Sequence, residues 1–557
     1  MPESGKRPLS RTLLRAALLV GCATLAGGFF GPKLFAITEA GGPAVKEYSD
    51  LLATARAWYV EELPPEKLVY SSIQGMLGTL DPHTSFLEPE EYGAMQEKQR
   101  GSFYGLGILI QKRDGKITVI TPIEGSPAER LGIRAGDIID LVEGQPVGDL
   151  PVDQVVKKLK GPKGTTVRIT ILRPGLGEPL QMTVTRAEIP TNSVAYAFVL
   201  EGGTGYIRLK DFTHTSVPEM ADTWEKLQKQ GMKRLVLDLR GNPGGLLDQA
   251  IGVSDFFLKK GDKVVYTKGR TSSSDQTFNA PGKHAKPRIP VVVLINKGSA
   301  SASEIVAGAI QDHDRGLIVG QTSWGKGLVQ SVFTLTDGAG LALTTAKYYT
   351  PAGRCIQRDY GEVLEYLVPE ETHGGEEGDE ESAQAIAARE VFRTDGGRTV
   401  YGGGGITPDV SVKSDTLSRF AAGLYARQVF FDFAVDWRAK HPEVPRDFKV
   451  TDEVRDEFFR FADSRPFASP DQPAKQTYLA EKDPAQIDRA IREEIANAVY
   501  GRDAGYRIGL EGEVQFQKAL TLFPEAEKLA GIAPKGSPGQ TAAAAAAAAV
   551  PPAAARR

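Results

Sequence analysis

Cysteine is nearly absent: Cys22 and Cys355 are the only two among 557 residues. Cys22 falls in the N-terminal segment, so the body of the chain has at most one thiol, which excludes a disulfide scaffold and a thiolate metal cluster. An excess of one charge is missing as well. The formal net charge is −3, no basic run is interleaved with aromatics, and no zinc-finger pattern occurs. Neither nucleic acid nor an anionic membrane surface is called for as a partner. A phosphate loop is also lacking, because Gly327 follows Lys326 where Ser or Thr would have to stand. No pattern asks for a metal or another cofactor. The longest uncharged N-terminal stretch, Ala16–Pro32, falls just short of a spanning helix.

What is present begins at that stretch. Lys6, Arg7, Arg11 and Arg15 precede it, the order of an export signal with a positive leading region. A cleaved signal and a retained anchor both fit, and Leu19-Val20-Gly21-Cys22 resembles a lipoprotein box. Helical spacing follows at Leu51, Leu52, Ala55 and Tyr59, and a second helix is expected over Leu68–Leu80. Asp81-Pro82-His83 breaks the chain, and His83 reads as a structural turn residue. Short strands alternate with two helices over about 101–188. One of these helices places Val152, Val155, Val156 and Leu159 on one face. From about 191 to 360 the pattern is α/β, and Val291–Ile295 is the uninterrupted apolar run of a strand buried on both faces. Acids and glycines crowd Glu370–Glu381, which reads as an exposed insertion. About 414–525 is mainly helical, and Phe458, Phe459 and Phe461 are core candidates. Ala542–Ala549 opens a low-complexity tail with nothing to pack.

Three glycine-rich turns follow strands and could carry chemistry. Asp238–Gly245 ends in adjacent glycines whose N–H groups can point into a cavity, as an oxyanion requires. Asn296–Ile305 follows the most apolar strand and opens a helix. A serine there gains from backbone donors and the positive helix end, but Ser301 or Ser303 could equally be a simple N-cap. Thr322–Gln330 sets Lys326 between two glycines. On the surface that lysine is inert; in a secluded pocket it can serve as a general base.

Several spaced motifs together resemble the carboxyl-terminal processing proteases, also called tail-specific proteases, of bacteria and chloroplasts. They are Leu80-Asp81-Pro82-His83-Thr84, Asp238–Gly245, Gly298–Glu304, Gly325-Lys326-Gly327 with Gln330, and Gly404–Asp409. The likeness spans about 45–415. It implies a crotonase/Clp-like α/β protease core with an inserted PDZ domain and helical terminal regions. It also implies a serine endopeptidase that cuts exported proteins near their C-termini. By this resemblance Ser301 is the nucleophile, Lys326 its base 25 residues on, and Gln330 orients the lysine. Ala302 with Gly245, or Gly244, forms the oxyanion hole. Gly105-Leu106-Gly107-Ile108 matches the loop that holds a substrate's terminal carboxylate. With a lysine base no His–Asp pair is needed.

The domain plan expected on this basis is a signal or anchor over 1–36, a helical region over 45–100 and a PDZ-like domain over 101–188. The protease core takes 189–370 and 395–412 around an acidic insertion at 371–394. A mainly helical region over 413–530 and an alanine-rich tail over 531–557 complete it. The resemblance places the protein in the bacterial periplasm or cell envelope, free or anchored in the inner membrane. Its partners are polypeptides with accessible C-termini, and an adaptor, membrane association and homo-oligomers all stay open. Two rivals remain: a tail-binding module that cuts nothing, and another acyl transfer on a crotonase-like core.

Overall fold

The computed structural model describes residues 42–359, 389–441, 443–464, 478 and 484–532. The leader over 1–36 with Cys22, most of the acidic insertion and nearly all of the alanine-rich tail lie outside the described residues. None of the described helices is long and apolar enough to cross a membrane.

The chain divides into two units, Met1–Glu88 and Pro89–Arg557. In the first, a helix over 42–58 precedes Pro65–Leu77, and the hydroxyls of Tyr48 and Ser72 join them. The turn after them is built on Asp81. Its carboxylate accepts the N–H groups of His83 and Thr84 and the Thr84 hydroxyl, a side-chain turn of the kind Asp favours.

In the second unit the region expected to be a PDZ-like domain is an antiparallel sheet in the order Ile108–Arg113, Lys116–Pro122, Ile138–Val142, Thr166–Leu172, Leu180–Thr185. Ile117, Val119, Ile139, Val167, Ile169 and Ile171 fill its core. From the helix Val152–Leu159, Val155 and Leu159 enter that core while Val152 and Val156 stay half-buried. Ser102–Gly105 and Ala187–Pro190 pair at the stem, where the chain enters and leaves.

The core sheet runs Val194–Leu200, Thr204–Leu209, Arg234–Asp238, Val291–Ile295, Leu317–Gly320, Val410–Ser411, parallel after the first pair. Alternation along Val291–Ile295 shows why that run is wholly apolar. Val291, Val293 and Ile295 pack on one face with the helices Ser216–Lys229, Leu247–Ser254 and Ala302–Asp312. Val292 and Leu294 pack on the other, under Leu510, Phe516, Phe523 and Ala526 of the helices Arg502–Leu510, Val514–Thr521 and Phe523–Leu529, with Leu522 between the last two. The last described helices thus cover one face of the core sheet. A second sheet joins Leu328–Thr334, Gly340–Tyr349, Lys263–Gly269 and Gln276–Asn279, all antiparallel. Between these parts, Arg419–Ala426, Val429–Lys440, Asp452–Asp463 and Pro484–Tyr500 close around Phe430, Phe433, Trp437, Phe458 and Ile491.

Phe523 is only 1% exposed. Phe523→Ala is expected to cost about 3–5 kcal/mol, read as a lowered urea midpoint of the whole core sheet region rather than local fraying.

Candidate active site

Ser301 stands where the apolar strand Val291–Ile295 turns into the helix Ala302–Asp312. Its backbone has φ 54 and ψ −112, a conformation that a residue with a Cβ adopts only when its surroundings impose it. Such a strand–turn–helix bend lifts a hydroxyl clear of the sheet. The two flanking serines are committed elsewhere. Ser299 Oγ donates to Leu239 O at 2.8 Å, and Ser303 Oγ donates to Asn242 O at 2.9 Å. Both are fully buried, whereas Ser301 is half-buried. Of the three, Ser301 is the one placed to meet a substrate.

The glycine turn lies against it. A Cβ on Gly244 would stand 2.8 Å from both Ser301 Cβ and Ala302 N. The N–H of Gly244 donates to Asn242 Oδ1 at 2.9 Å. Its carbonyl accepts from Phe212 N at 3.1 Å. In a trans peptide the carbonyl and the following N–H point in opposite directions, and no cis bond occurs among the described residues. The Gly245 N–H is therefore turned away from Phe212. Ala302 is the first residue of its helix, so its N–H is beyond the reach of any helical carbonyl. The same turn is braced from below. Asp238, fully buried, pairs with Arg240 at 2.7 Å and Arg208 at 3.3 Å and accepts from Tyr206 at 2.6 Å. Arg240 reaches on to Glu513 at 2.8 Å and Gln515 at 2.9 Å, and Tyr506 meets Tyr206 at 2.8 Å.

Lys326 is brought in by Glu304, three residues after Ser301. This carboxylate is 0% exposed and accepts from four groups. One oxygen takes Ser301 N–H at 2.7 Å and Lys326 N–H at 3.0 Å; the other takes the Ser323 hydroxyl at 2.5 Å and Gly325 N–H at 2.7 Å. The backbones of Ser301 and Lys326 therefore meet at a single oxygen atom. Tyr348 closes the opposite side, its hydroxyl against the carbonyls of Ser301 and Lys326. Burial pushes the Glu304 carboxyl up to about 7, while its four donors pull the other way. Ser323 Oγ also accepts Ile406 N–H at 2.7 Å, and a Cβ on Gly405 would strike Ser323 O at 2.4 Å. That close approach ties Gly404–Asp409 to the lysine loop. Gln330 lies on Leu328–Thr334, its amide nitrogen 3.3 Å from Thr344 Oγ1.

The loop Gly105–Ile108 lies in the PDZ domain, remote in sequence from these turns. Leu106 O accepts Ala128 N–H at 3.0 Å, and Gly107 O accepts Ile123 N–H at 2.8 Å. With both carbonyls turned into the domain, the N–H groups of Gly107 and Ile108 face outward. Gly107 has φ +80, and a Cβ there would stand 2.2 Å from Ser126 Cβ; only glycine fits.

Motif reading singled out Ser301, Lys326 and Gln330 but gave Glu304 and Tyr348 no role. For Glu304 a signal existed, since Ser-x-x-Glu before an apolar run marks a helix start whose Glu folds back on the cap. Tyr348 sits in an ordinary strand pattern and carries no local mark.

Residues 203–363 match Peptidase family S41, residues 118–173 a PDZ domain, and residues 420–482 the C-terminal helical domain of probable PDZ-proteases. The chain is 41% identical to the carboxy-terminal-processing protease of Bartonella bacilliformis over 314 residues, which is 56% of this chain and 72% of the relative. The chain belongs to the carboxy-terminal-processing protease family. It is a serine-type peptidase with the family's fold and a PDZ domain. Further members are the Synechocystis sp. enzyme, 41% identical over 52% of this chain and 68% of that one, and carboxy-terminal processing protease CtpA of Bacillus subtilis, 36% identical over 54% and 64%.

Because Glu304 titrates near 7 rather than 4.5, the folded protein keeps a proton that the unfolded chain releases. Its contribution to stability is full below about pH 4.5 and is lost as pH rises towards 7, by roughly 3 kcal/mol. Glu304→Gln is expected to remove this component, seen as a smaller difference between urea midpoints at pH 4.5 and pH 7.5.

Proposed function

We propose that the protein is a serine endopeptidase with a Ser301–Lys326 dyad that cuts exported polypeptides near their C-termini, and that the PDZ loop holds the free tail. The observation that carries this reading is the single Glu304 oxygen shared by the N–H groups of Ser301 and Lys326.

Lysine is a base only as the neutral amine, a form that exclusion of water by bound substrate favours. Neutral Lys326 takes the proton of Ser301 as Oγ attacks the scissile carbonyl. The carbonyl oxygen becomes an anion and is received by the N–H groups of Ala302 and Gly245. Gly244 does not serve, because its N–H is held by Asn242. As the tetrahedral adduct collapses, the Lys326 ammonium gives its proton to the leaving amine, and the C-terminal fragment departs. Lys326 then takes a proton from water as that water attacks the Ser301 ester, and returns it to Ser301 Oγ as the new carboxyl end departs. Gln330 orients the ammonium through its amide oxygen while its nitrogen is held near Thr344.

Tail capture rests on the outward N–H groups of Gly107 and Ile108. The strand Ile108–Arg113 is at the edge of its sheet, so an incoming peptide can add beside it with its carboxylate at that loop. Half-buried Ile108, Ile110, Val152 and Val156 offer apolar contacts to the last side chains. Export to the bacterial periplasm or cell envelope belongs to the same reading and rests on the basic–apolar order of Lys6–Pro32.

The test uses the exported portion and an unfolded substrate with an apolar tail. Ser301→Ala and Lys326→Ala are each expected to lower turnover by at least about 10³, and equal cleavage by either variant sinks the mechanism. Amidating the substrate's C-terminus is expected to raise KM while leaving kcat within about twofold; an unchanged KM removes the tail-capture step. Gly244→Ala, which crowds Ser301 Cβ and Ala302 N, is expected to cost about 10²–10³ in kcat.

A further inference from the structure

The oxyanion turn and the lysine turn are joined a second time, on the roofed face of the core sheet. Gln515 is the second residue of the helix Val514–Thr521 and is 1% exposed. Among the described residues of the last three helices it is the one polar side chain that is fully buried. Its Oε1 accepts from Arg240 Nη1 at 2.9 Å. Its Nε2 donates to Val412 O at 2.8 Å and to Ser414 Oγ at 3.2 Å. Both ends lead to the active site. Arg240 opens the turn that runs to Gly245 and pairs with Asp238 beneath it. On the other side, Val412 N–H donates to Gly320 O at 2.8 Å, and Ser414 Oγ donates to Gln321 Oε1 at 3.0 Å. Gly320 and Gln321 open the loop that carries Lys326. In the sheet, Arg234–Asp238 and Val410–Ser411 stand three strand spacings apart, with Val291–Ile295 and Leu317–Gly320 between them. At about 4.8 Å per strand the gap is roughly 14 Å. Arg240 and Gln515 bridge it across the strand that leads to Ser301.

We propose that Gln515 is a positioning residue for the hydrolysis: by joining Arg240 to Val412 and Ser414 it sets the oxyanion turn against the lysine turn. The inference rests on the Ser301–Lys326 reading with the Gly245 N–H as an oxyanion donor. Only an amide fits the place. Arg240 has donors alone and a main-chain carbonyl accepts alone, so the side chain between them must accept at one end and donate at the other. Exchanging a buried polar link for an apolar side chain of like size changes stability little when both partners go. What the link supplies is a single fixed geometry. Glu304 ties Ser301 to the lysine turn. Gln515 ties the oxyanion turn to the loop that leads into it, so nucleophile, base and oxyanion donors keep one spacing. A shift of the donors by a fraction of an ångström weakens the transition state while the bound substrate hardly notices.

The experiment uses the full chain and a peptide with one cut site and an apolar tail. Gln515→Met keeps the length of the side chain and removes both ties; it is expected to lower kcat about 30-fold with KM within about twofold. A peptide aldehyde of the same sequence adds to Ser301 Oγ as a hemiacetal whose oxygen enters the oxyanion hole, whereas the corresponding peptide alcohol forms no adduct. The variant is expected to bind the aldehyde about 30-fold more weakly and the alcohol as tightly as the wild type. Phe523→Ala loosens the same roof at a residue outside the bridge and is expected to keep kcat within about twofold well below its unfolding temperature. Ser414→Ala, at an exposed position, removes the link to Gln321 and is expected to lower kcat about threefold. An unchanged kcat in Gln515→Met, or in Ser414→Ala if the first variant does not fold, overturns the positioning role. So do aldehyde and alcohol affinities that fall together. So does a loss in Phe523→Ala as large as that in Gln515→Met, which means that the roof acts through stability alone. Cleavage by Ser301→Ala is a separate failure: it removes the dyad and the role built on it, whereas the aldehyde-to-alcohol ratio reports on Gln515.

Discussion

A carboxylate without solvent is costly to keep ionised unless donors surround it. Glu304 is enclosed completely, and its donors come from two turns apart in sequence: Ser301 from the turn before the helix Ala302–Asp312, and Ser323, Gly325 and Lys326 from the lysine turn. Removing either loop would leave part of its acceptor capacity unmet. Its own burial therefore holds the loops together. The spacing of Ser301 and Lys326 is fixed through main-chain N–H groups rather than through their flexible side chains. Tyr348 does the complementary work on the carbonyl side. The unusual φ of Ser301 is held by this frame, since its N–H is anchored to Glu304 and its carbonyl accepts from Glu304 N and Ile305 N.

The rest of the fold supplies the surroundings that such a clamp needs. The parallel sheet delivers three turns at the C-terminal ends of its strands, where α/β sheets usually hold ligands. Close approach makes glycine obligatory at specific points: Gly405 against Ser323, Gly245 against Phe212, Gly107 against Ser126. The same steric constraint thus shapes the lysine loop, the oxyanion turn and the PDZ loop.

Much of the plan was legible in the sequence because its signals are local. The run Val291–Ile295 announced a strand buried on both faces, and the Val152–Leu159 spacing announced a helix. The choice among Ser299, Ser301 and Ser303 was not settled by their own pattern. Three serines at alternate positions look alike until one sees that two hydroxyls are bound to Leu239 and Asn242. Gly244 and Gly245 were indistinguishable for the same reason, and the Asn242 side chain separates them. The helices Arg502–Leu529 were recognisable as helices, but nothing local said that they roof the far face of the core sheet. That depends on Val236, Val292, Leu294 and Val319 being left bare by the other helices.

The roof has a bearing on the enzyme's own integrity. Its last buried residue is Ala530, and its polar ties to the oxyanion turn are Tyr506, Glu513 and Gln515. Shortening that stops beyond Ala530 keeps every buried residue described for the roof. Shortening that passes Tyr506 bares the sheet and frees Arg240 beside the turn Asp238–Gly245. The packing of these helices thus sets how far the chain can be shortened from its C-terminal side before the core sheet loses its cover.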